Sequence, residues 1–424
     1  MTTSTSVAVI APMMAESGTS TTIKDCLQIS GKDKELDDMD QYNKPRLRRA
    51  LILTSLSSRS ENIVFLAPKS RENSLLSLYT SVHSEGLLTF LMTAWSQWKA
   101  LGTDGQNPDA CLKLPDDRLT PHLIPSSVPL PRDPHQRSST NIMGQIGYYC
   151  TDNCTPITDV LLDELKVDAT IIQDAVETAM QGSHHAVYAL PTHPGHHAAR
   201  DSFGGYCYLN QAAFAAKLFQ SKYKITRVAI LDIGKECFRF QTKSHFILSL
   251  THACLRFSNN PSLDYHCGNG TASIFYDDPS VLVVSLHCDP NMEYPFYSGF
   301  ADQVGIDDGI GTTCHFPMPP KTQWDNYQKS LLLGLHKIQE FRAEAIVVSM
   351  GLDTHENDPC AIRRAGFCLH GNDYYELGKL ISCELFALPT VIIQEGGYRL
   401  DTIGDVAANV IIGFLDDVVS RNDR

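Results

Sequence analysis

The sequence predicts an α/β protein built on a central, mainly parallel sheet with helices on both faces. Three observations carry that prediction. From residue 158 onward, apolar runs rich in β-branched residues alternate with segments of helical periodicity, the pattern of strands covered on both faces by crossover helices. Polar and glycine-rich clusters follow those runs directly, as a ligand crevice beyond the C-terminal strand ends requires. With 424 residues, 43% of them hydrophobic and 20% charged, the chain has the length and apolar content for one large domain.

The elements follow in order. Residues 1–43 are Ser/Thr-rich and then charged (GKDKELDDMDQ), with little periodicity, and are read as a disordered tail. A single domain is assigned to 44–420. It opens with a helix in PRLRRALILTSL, a strand in ENIVFLAP and a helix in SEGLLTFLMTAWSQWKALG. Residues 102–145, rich in Pro, Asp and Ser, read as a long surface loop. Then come helix DVLLDELKVDATIIQDAVETAM, strand HAVYAL, helix NQAAFAAKLFQSK and strand RVAILDI. Strand VLVVSLH, helix TQWDNYQKSLLLGLHKIQEF and strand AEAIVVSMGLD continue the series. Helix NDYYELGKLISCELF, strand PTVIIQEGGY and a helix from Thr402 to Leu415 close it.

Bulk properties exclude several functions. No apolar run reaches the roughly 18 to 20 residues of a membrane span. The start carries no basic region followed by an apolar stretch, and no Arg precedes Arg46, so neither a secretory signal nor an organelle address is read there. Thirteen cysteines in such a chain read as reduced thiols, which places the protein in the cytoplasm, the nucleus or both. A net charge of −13 argues against direct nucleic-acid binding and suits cationic substrates.

Polar residues collect at four strand ends: THPGHHA, LHCD, LDTHENDP and EGGY. In DYH, Asp264 and His266 fall on one side of an extended segment, and Asp353 can supply a third ligand from a neighbouring strand end. Two carboxylates and an imidazole with an open position suit a catalytic Zn²⁺. A lone D-x-H more often caps a turn; three further polar strand ends beside it favour the metal reading. His196 and His197 are the proton handlers, with Asp232 and Asn269 as candidate orienters. His184 and His185, before a strand and without glycines, read as surface. Tyr398, after two glycines, can project its phenol into the crevice and donate to an oxyanion. Gly205 and Tyr206 read as a close-approach turn with an aromatic wall, and Tyr294 as the opposite wall of a narrow channel.

PGHHA, FGGYCYLN, DYHCGNG, VSLHCDP, GLDTHENDP and EGGY together resemble the zinc-dependent histone deacetylase and acetylpolyamine amidohydrolase superfamily, from about Pro45 to Leu415 and in order. IGYYCTDNCTPI and HCDPNMEYPFYSGFADQVG are more similar to the acetylpolyamine amidohydrolase and class II branch. The resemblance implies an arginase/deacetylase-like fold and hydrolysis of an N-acetyl amide to amine and acetate. It implies Zn²⁺ on Asp264, His266 and Asp353, with His197 as general base and acid and His196 as its electrostatic partner. Asp232 would orient His196 and Asn269 would orient His197. Tyr398 would bind the carbonyl oxygen, and Gly205, Tyr206 and Tyr294 would line the tunnel. A structural K⁺ is implied on Asp232, Asp264, His266, Ser285 and the Leu286 carbonyl. An acetylated protein or acetylpolyamine is the implied substrate, and relatives of this branch also pair as homodimers. Three departures are visible. The family's first strand is not recognisable before Pro45, Cys267 stands where a second His is usual, and Met143 and Cys360 replace acidic tunnel-mouth residues of the polyamine branch.

One stretch conflicts with that pattern. In the family the strand runs on as D-x-D-x-H, whereas here Gly234–Leu263 separate Asp232 from Asp264 by thirty additional residues. A tolerated loop would cost about 3 kcal/mol to close, at the middle of a central strand. A small metal module on Cys237, His245, His252 and Cys254 matches no zinc spacing. The third reading is an unspliced intron. Gly-Lys at 234–235 can be encoded with the donor GTAAG, Leu-Asp at 263–264 with an acceptor TAG, and thirty codons preserve the frame. The leading expectation is an active zinc amidohydrolase in the form without 234–263. The rival is a catalytically silent acyl-lysine-binding protein whose metal site the insertion splits. A manganese ureohydrolase would want more Asp ligands than DYH and GLDTHENDP provide.

Overall fold

The computed structural model describes residues 6–12, 44–71, 74–101, 111–113, 119–121, 137–152, 155–233, 267–358 and 366–422. Eight parallel strands form one sheet. In chain order the elements are β1 (Val7–Ile10), α1 (Lys44–Ser57), β2 (Ile63–Leu66), α2 (Leu75–Tyr79), α3 (Glu85–Ala100), β3 (Cys111–Lys113), β4 (Leu119–Pro121) and α4 (Ile142–Tyr149). There follow α5 (Leu161–Gln181), β5 (Ala186–Ala189), α6 (Gln211–Tyr223), β6 (Val228–Asp232), α7 (Asn269–Ile274) and β7 (Val281–Cys288). The chain continues through β8 (Thr313–Met318), α8 (Trp324–Phe341), β9 (Ala345–Met350), α9 (Gly371–Glu384), β10 (Thr390–Gln394) and α10 (Ile403–Asn422). The sheet order is β2-β1-β5-β10-β9-β6-β7-β8, and β3 and β4 pair separately as an antiparallel ribbon.

Alternation along the strands splits the core in two. Val187, Ala189, Val228, Ile230, Val391 and Ile393 face one layer, against α2, α3, α5 and α6. Tyr188, Ala229, Leu231, Ile346, Val348 and Ile392 face the other, against α1, α8, α9 and α10. Side chains of alternate parity point to opposite faces, so β1, β5, β6, β7, β9 and β10 contribute to both cores. Where α9 and α10 cross, a Cβ on Gly378 would lie 2.0 Å from the Val410 carbonyl oxygen, which explains a glycine inside a helix.

Three sequence expectations change. The sequence reads residues 1–43 as a tail, yet Val7–Ile10 forms a fully buried strand between β2 and β5; residues 1–5 and 13–43 lie outside the described residues. The 102–145 loop contains the antiparallel β3–β4 ribbon and the start of α4, capped by the Asn141 side chain on the Met143 amide. His184 and His185 are half-buried rather than surface residues. His184 Nδ1 meets Ser6 Oγ at 2.8 Å, and His185 packs against Phe386 and Phe414.

Candidate active site

Five adjacent strands, β5, β10, β9, β6 and β7, bring their C-terminal ends to one place. Their register sets Asp232 beside both Ser285 and Ser349, at the last position of β6. From β5 the chain turns through Gly195 into His196 and His197. A Cβ on Gly195 would lie 2.4 Å from the Gln211 amide nitrogen, so only glycine fits. The Gly195 amide donates to Glu395 Oε2 at 2.6 Å, and Ser349 Oγ donates to Glu395 Oε1 at 2.8 Å. One buried carboxylate thus ties the ends of β5, β9 and β10 together. Burial pushes its pKa up, against the neighbouring His196 and its two hydrogen bonds.

The two histidine rings lie tilted at 42° with centroids 4.1 Å apart, yet their partners differ. His196 Nδ1 lies 3.0 Å from Asp232 Oδ2, in a fully buried pair. His197 Nδ1 lies 2.6 Å from Asn269 Oδ1. An amide oxygen only accepts, so this contact puts the His197 proton on Nδ1 and leaves Nε2 with its lone pair. Burial lowers the His197 pKa below the ordinary value, opposed by the Asn269 contact and by the Asp232 charge. The neutral form of His197 is therefore favoured.

Asn269 opens the short helix α7, which docks directly on this turn. Its Thr271 amide donates to the His196 carbonyl at 3.1 Å, and a Cβ on Gly270 would strike the His197 backbone at 2.4 Å. Gly268, just before it, is packed so closely that a Cβ would lie 2.0 Å from Asp232 Oδ2. The C-G-N-G glycines are thus required by close approach to the histidines and to Asp232.

Asp353 follows β9 and is fully buried. Tyr398 follows β10 through Gly397, whose φ of +119° is open to glycine. The Tyr398 and Arg399 amides both donate to Asp358 Oδ2, at 2.8 and 3.0 Å. One six-residue turn therefore carries Asp353 at its start and the anchor of Tyr398 at its end. Gly205 and Tyr206 both take positive φ, +58° and +59°, and a Cβ on Gly205 would press on the His197 ring at 2.7 Å. Tyr294 meets His197 edge-on, centroids 5.4 Å apart. Ser285 and Leu286 are buried in β7 beside Asp232. Asp264 and His266 lie outside the described residues, as do Gly234–Leu263 and Cys360.

A histone deacetylase domain model matches residues 43–234 and 262–414. The chain belongs to the histone deacetylase family. The match breaks off and resumes around the segment that interrupts D-x-D-x-H. The chain is similar to acetylpolyamine amidohydrolase 2 of Pseudomonas aeruginosa, 34% identical over 78% of this chain and 81% of the relative. It is also similar to acetylpolyamine amidohydrolase of Mycoplana ramosa, 35% identical over the same shares. A crystal structure of acetylpolyamine aminohydrolase from Burkholderia pseudomallei superimposes with a TM-score of 0.67 at 26% identity, covering 87% of this chain and 90% of that one. The relatives are amidohydrolases, and the arginase/deacetylase-type α/β fold is shared.

Several site residues were not singled out from the sequence. Asp358 and Glu395 stood inside quoted motifs, but their hydrogen bonds reach backbone amides 40 and 200 residues away. Among the described residues, Cys267, His287 and His315 bring ligand-type atoms within 4.8 Å of one another. His287 Nε2 lies 2.8 Å from the Gly299 carbonyl oxygen and Nδ1 2.9 Å from Ser285 Oγ, while Cys267 Sγ meets His315 Nδ1 at 3.4 Å. Both ring nitrogens of His287 are engaged, so the cluster is a buried hydrogen-bonded knot beside Gly268.

Proposed function

We propose that the chain hydrolyses the N-acetyl amide of a cationic amine, an acetylpolyamine or the acetyl-lysine of a protein, to free amine and acetate. The observation that carries this reading is the pair His196 and His197, adjacent in the chain yet held by a carboxylate and an amide respectively. That arrangement sets two imidazoles with different hydrogen-bond partners side by side at one reacting centre. The overall charge of −13 favours approach of a cationic substrate.

The buried carboxylate of Asp353 and the return of the chain against Asp232 at Gly268 fit a divalent metal at these strand ends. Zn²⁺ would be held by Asp264, His266 and Asp353, and would polarise the acetyl carbonyl and acidify a water. His197 Nε2 accepts a proton from the attacking water and returns it to the departing amine nitrogen, so that one water adds across the amide. His196, held by Asp232, acts as its electrostatic partner. The Tyr398 hydroxyl donates to the oxygen on which negative charge develops. Gly205, Tyr206 and Tyr294 line the approach and exclude water. A structural K⁺ would be held by Asp232, Asp264, His266, Ser285 and the Leu286 carbonyl.

The test is acetate release from acetyl-lysine peptide and from acetylspermidine. Release should be blocked by a hydroxamate chelator and reduced about 10²–10³-fold in Tyr398→Phe. A zinc-loaded chain that releases no acetate from either substrate refutes the reading. The thirty-residue segment supports a second reading for the full-length form, a silent acyl-binding protein. Zinc content of that form separates the two.

A further inference from the structure

We propose that Thr151, Asp152 and Thr155 form a brace that sets the width of the acyl tunnel, and with it the acyl length accepted. The inference rests on the amidohydrolase reading of the site but concerns residues that reading does not use. Gly205 and Tyr206 stand in the left-handed region one after the other, which a tyrosine adopts only where its surroundings hold it. Both amides are held from the same short segment. The Gly205 amide donates to Asp152 Oδ2 at 2.6 Å, and the Tyr206 amide donates to Thr155 Oγ1 at 2.9 Å.

The two anchors are themselves locked together. Thr155 Oγ1 donates to Asp152 Oδ2 at 2.8 Å, and the Thr155 amide donates to Asp152 Oδ1 at 2.7 Å. Thr155 is fully buried, so its hydroxyl geometry is fixed. Thr151 Oγ1 donates to the Phe203 carbonyl oxygen at 3.2 Å, just before the Gly204–Gly205 turn. A Cβ on Gly204 would overlap Thr151 Oγ1 at 2.0 Å, so segment and wall are packed without slack. One segment therefore holds Gly205 against His197 and fixes Tyr206 beside it on the tunnel wall. These are positioning residues, and loosening any of them should widen the tunnel without touching the reacting atoms.

The probes are N-acetylcadaverine and N-butyrylcadaverine, which carry the lysine side-chain amide and resemble a short polyamine. Binding is measured by calorimetry in a Tyr398→Phe background, and turnover as kcat/KM with Tyr398 intact. Thr155→Val and Thr151→Val each remove one hydroxyl at nearly constant volume; Asp152→Asn removes a carboxylate. The expected result is a butyryl-to-acetyl preference raised about tenfold, the scale of one or two methylenes in an apolar pocket. Zinc content should be unchanged, and Thr155→Ser, which keeps the hydroxyl, should keep the parent ratio. An unchanged ratio in both threonine variants, or a uniform loss for both probes, overturns the brace. If Asp152→Asn does not fold, the threonine variants decide. Failure of the amidohydrolase reading looks different: no acetate is released by the parent, while the binding ratios still report on the brace.

Discussion

His83 is fully buried and has a fixed tautomer. Its Nδ1 lies 2.8 Å from the Ala199 carbonyl oxygen, so it donates there, and Nε2 accepts from the Asn210 amide at 2.9 Å. Asn210 Nδ2 in turn donates to the Ala198 carbonyl at 3.0 Å, so this neutral imidazole supports the turn that carries His196 and His197. Protonation would set an N–H against the Asn210 N–H. Burial accordingly lowers the His83 pKa from 6.5 to about 4. Below pH 6.5 the unfolded chain binds a proton that the folded chain refuses. Stability is therefore complete above pH 6.5 and is lost as pH falls toward 4, by about 1.4 kcal/mol per pH unit from this group. The buried Glu395, with its raised pKa, acts in the opposite sense, so the measurement is a difference. Thermal unfolding from pH 7 to 5 should show a shallower fall of Tm in His83→Gln than in the parent; parallel curves would contradict the assignment.

Two strands of the eight-stranded sheet escaped the sequence reading, each for a definable reason. β1 is only four residues, VAVI, in a Ser/Thr-rich start, too short for any period to be read. Its side chains nevertheless serve both cores: Ala8 and Ile10 on one face, Val7 and Val9 on the other. β8 lies at the sheet edge and contains Pro317, a residue tolerated in edge strands and absent from central ones, so TCHFPM does not read as a strand. If β1 is integral, Ile10→Ala should cost about 2–5 kcal/mol in urea unfolding, as truncation of a buried aliphatic does. A tail residue would cost nothing measurable.

At the scale of the whole molecule, Gly268 packs on Asp232, so the positions on either side of residues 233–267 touch. Without 234–263, Ile233, Asp264, Tyr265, His266 and Cys267 alone would bridge the same gap. Closing about 35 residues instead of about 5 costs roughly 2 kcal/mol more. The family match, which also passes from residue 234 to 262, leaves out nearly the same stretch. The shortened chain should therefore have the higher Tm, bind one zinc and release acetate. Equal zinc content and equal acetate release by the full-length chain would refute the unspliced-intron reading.

The strand-end motifs were legible because strands and helices repeat at fixed short periods and because glycine and histidine are conspicuous where a chain ends a buried strand. Those local signals were enough for the α/β class, the histidine pair and Tyr398. The family resemblance implies that Asp232 pairs with His196 and Asn269 with His197, and the tertiary structure brings these partners, 36 and 72 residues apart, into contact. The tertiary structure alone placed Glu395 under Gly195, Asp358 under Tyr398, and Asp152 under Gly205. The physical reason is common to all of them. Each is a hydrogen bond between a buried side chain and a group remote in sequence, and such a partner has no fixed spacing until the sheet has brought its strand ends together.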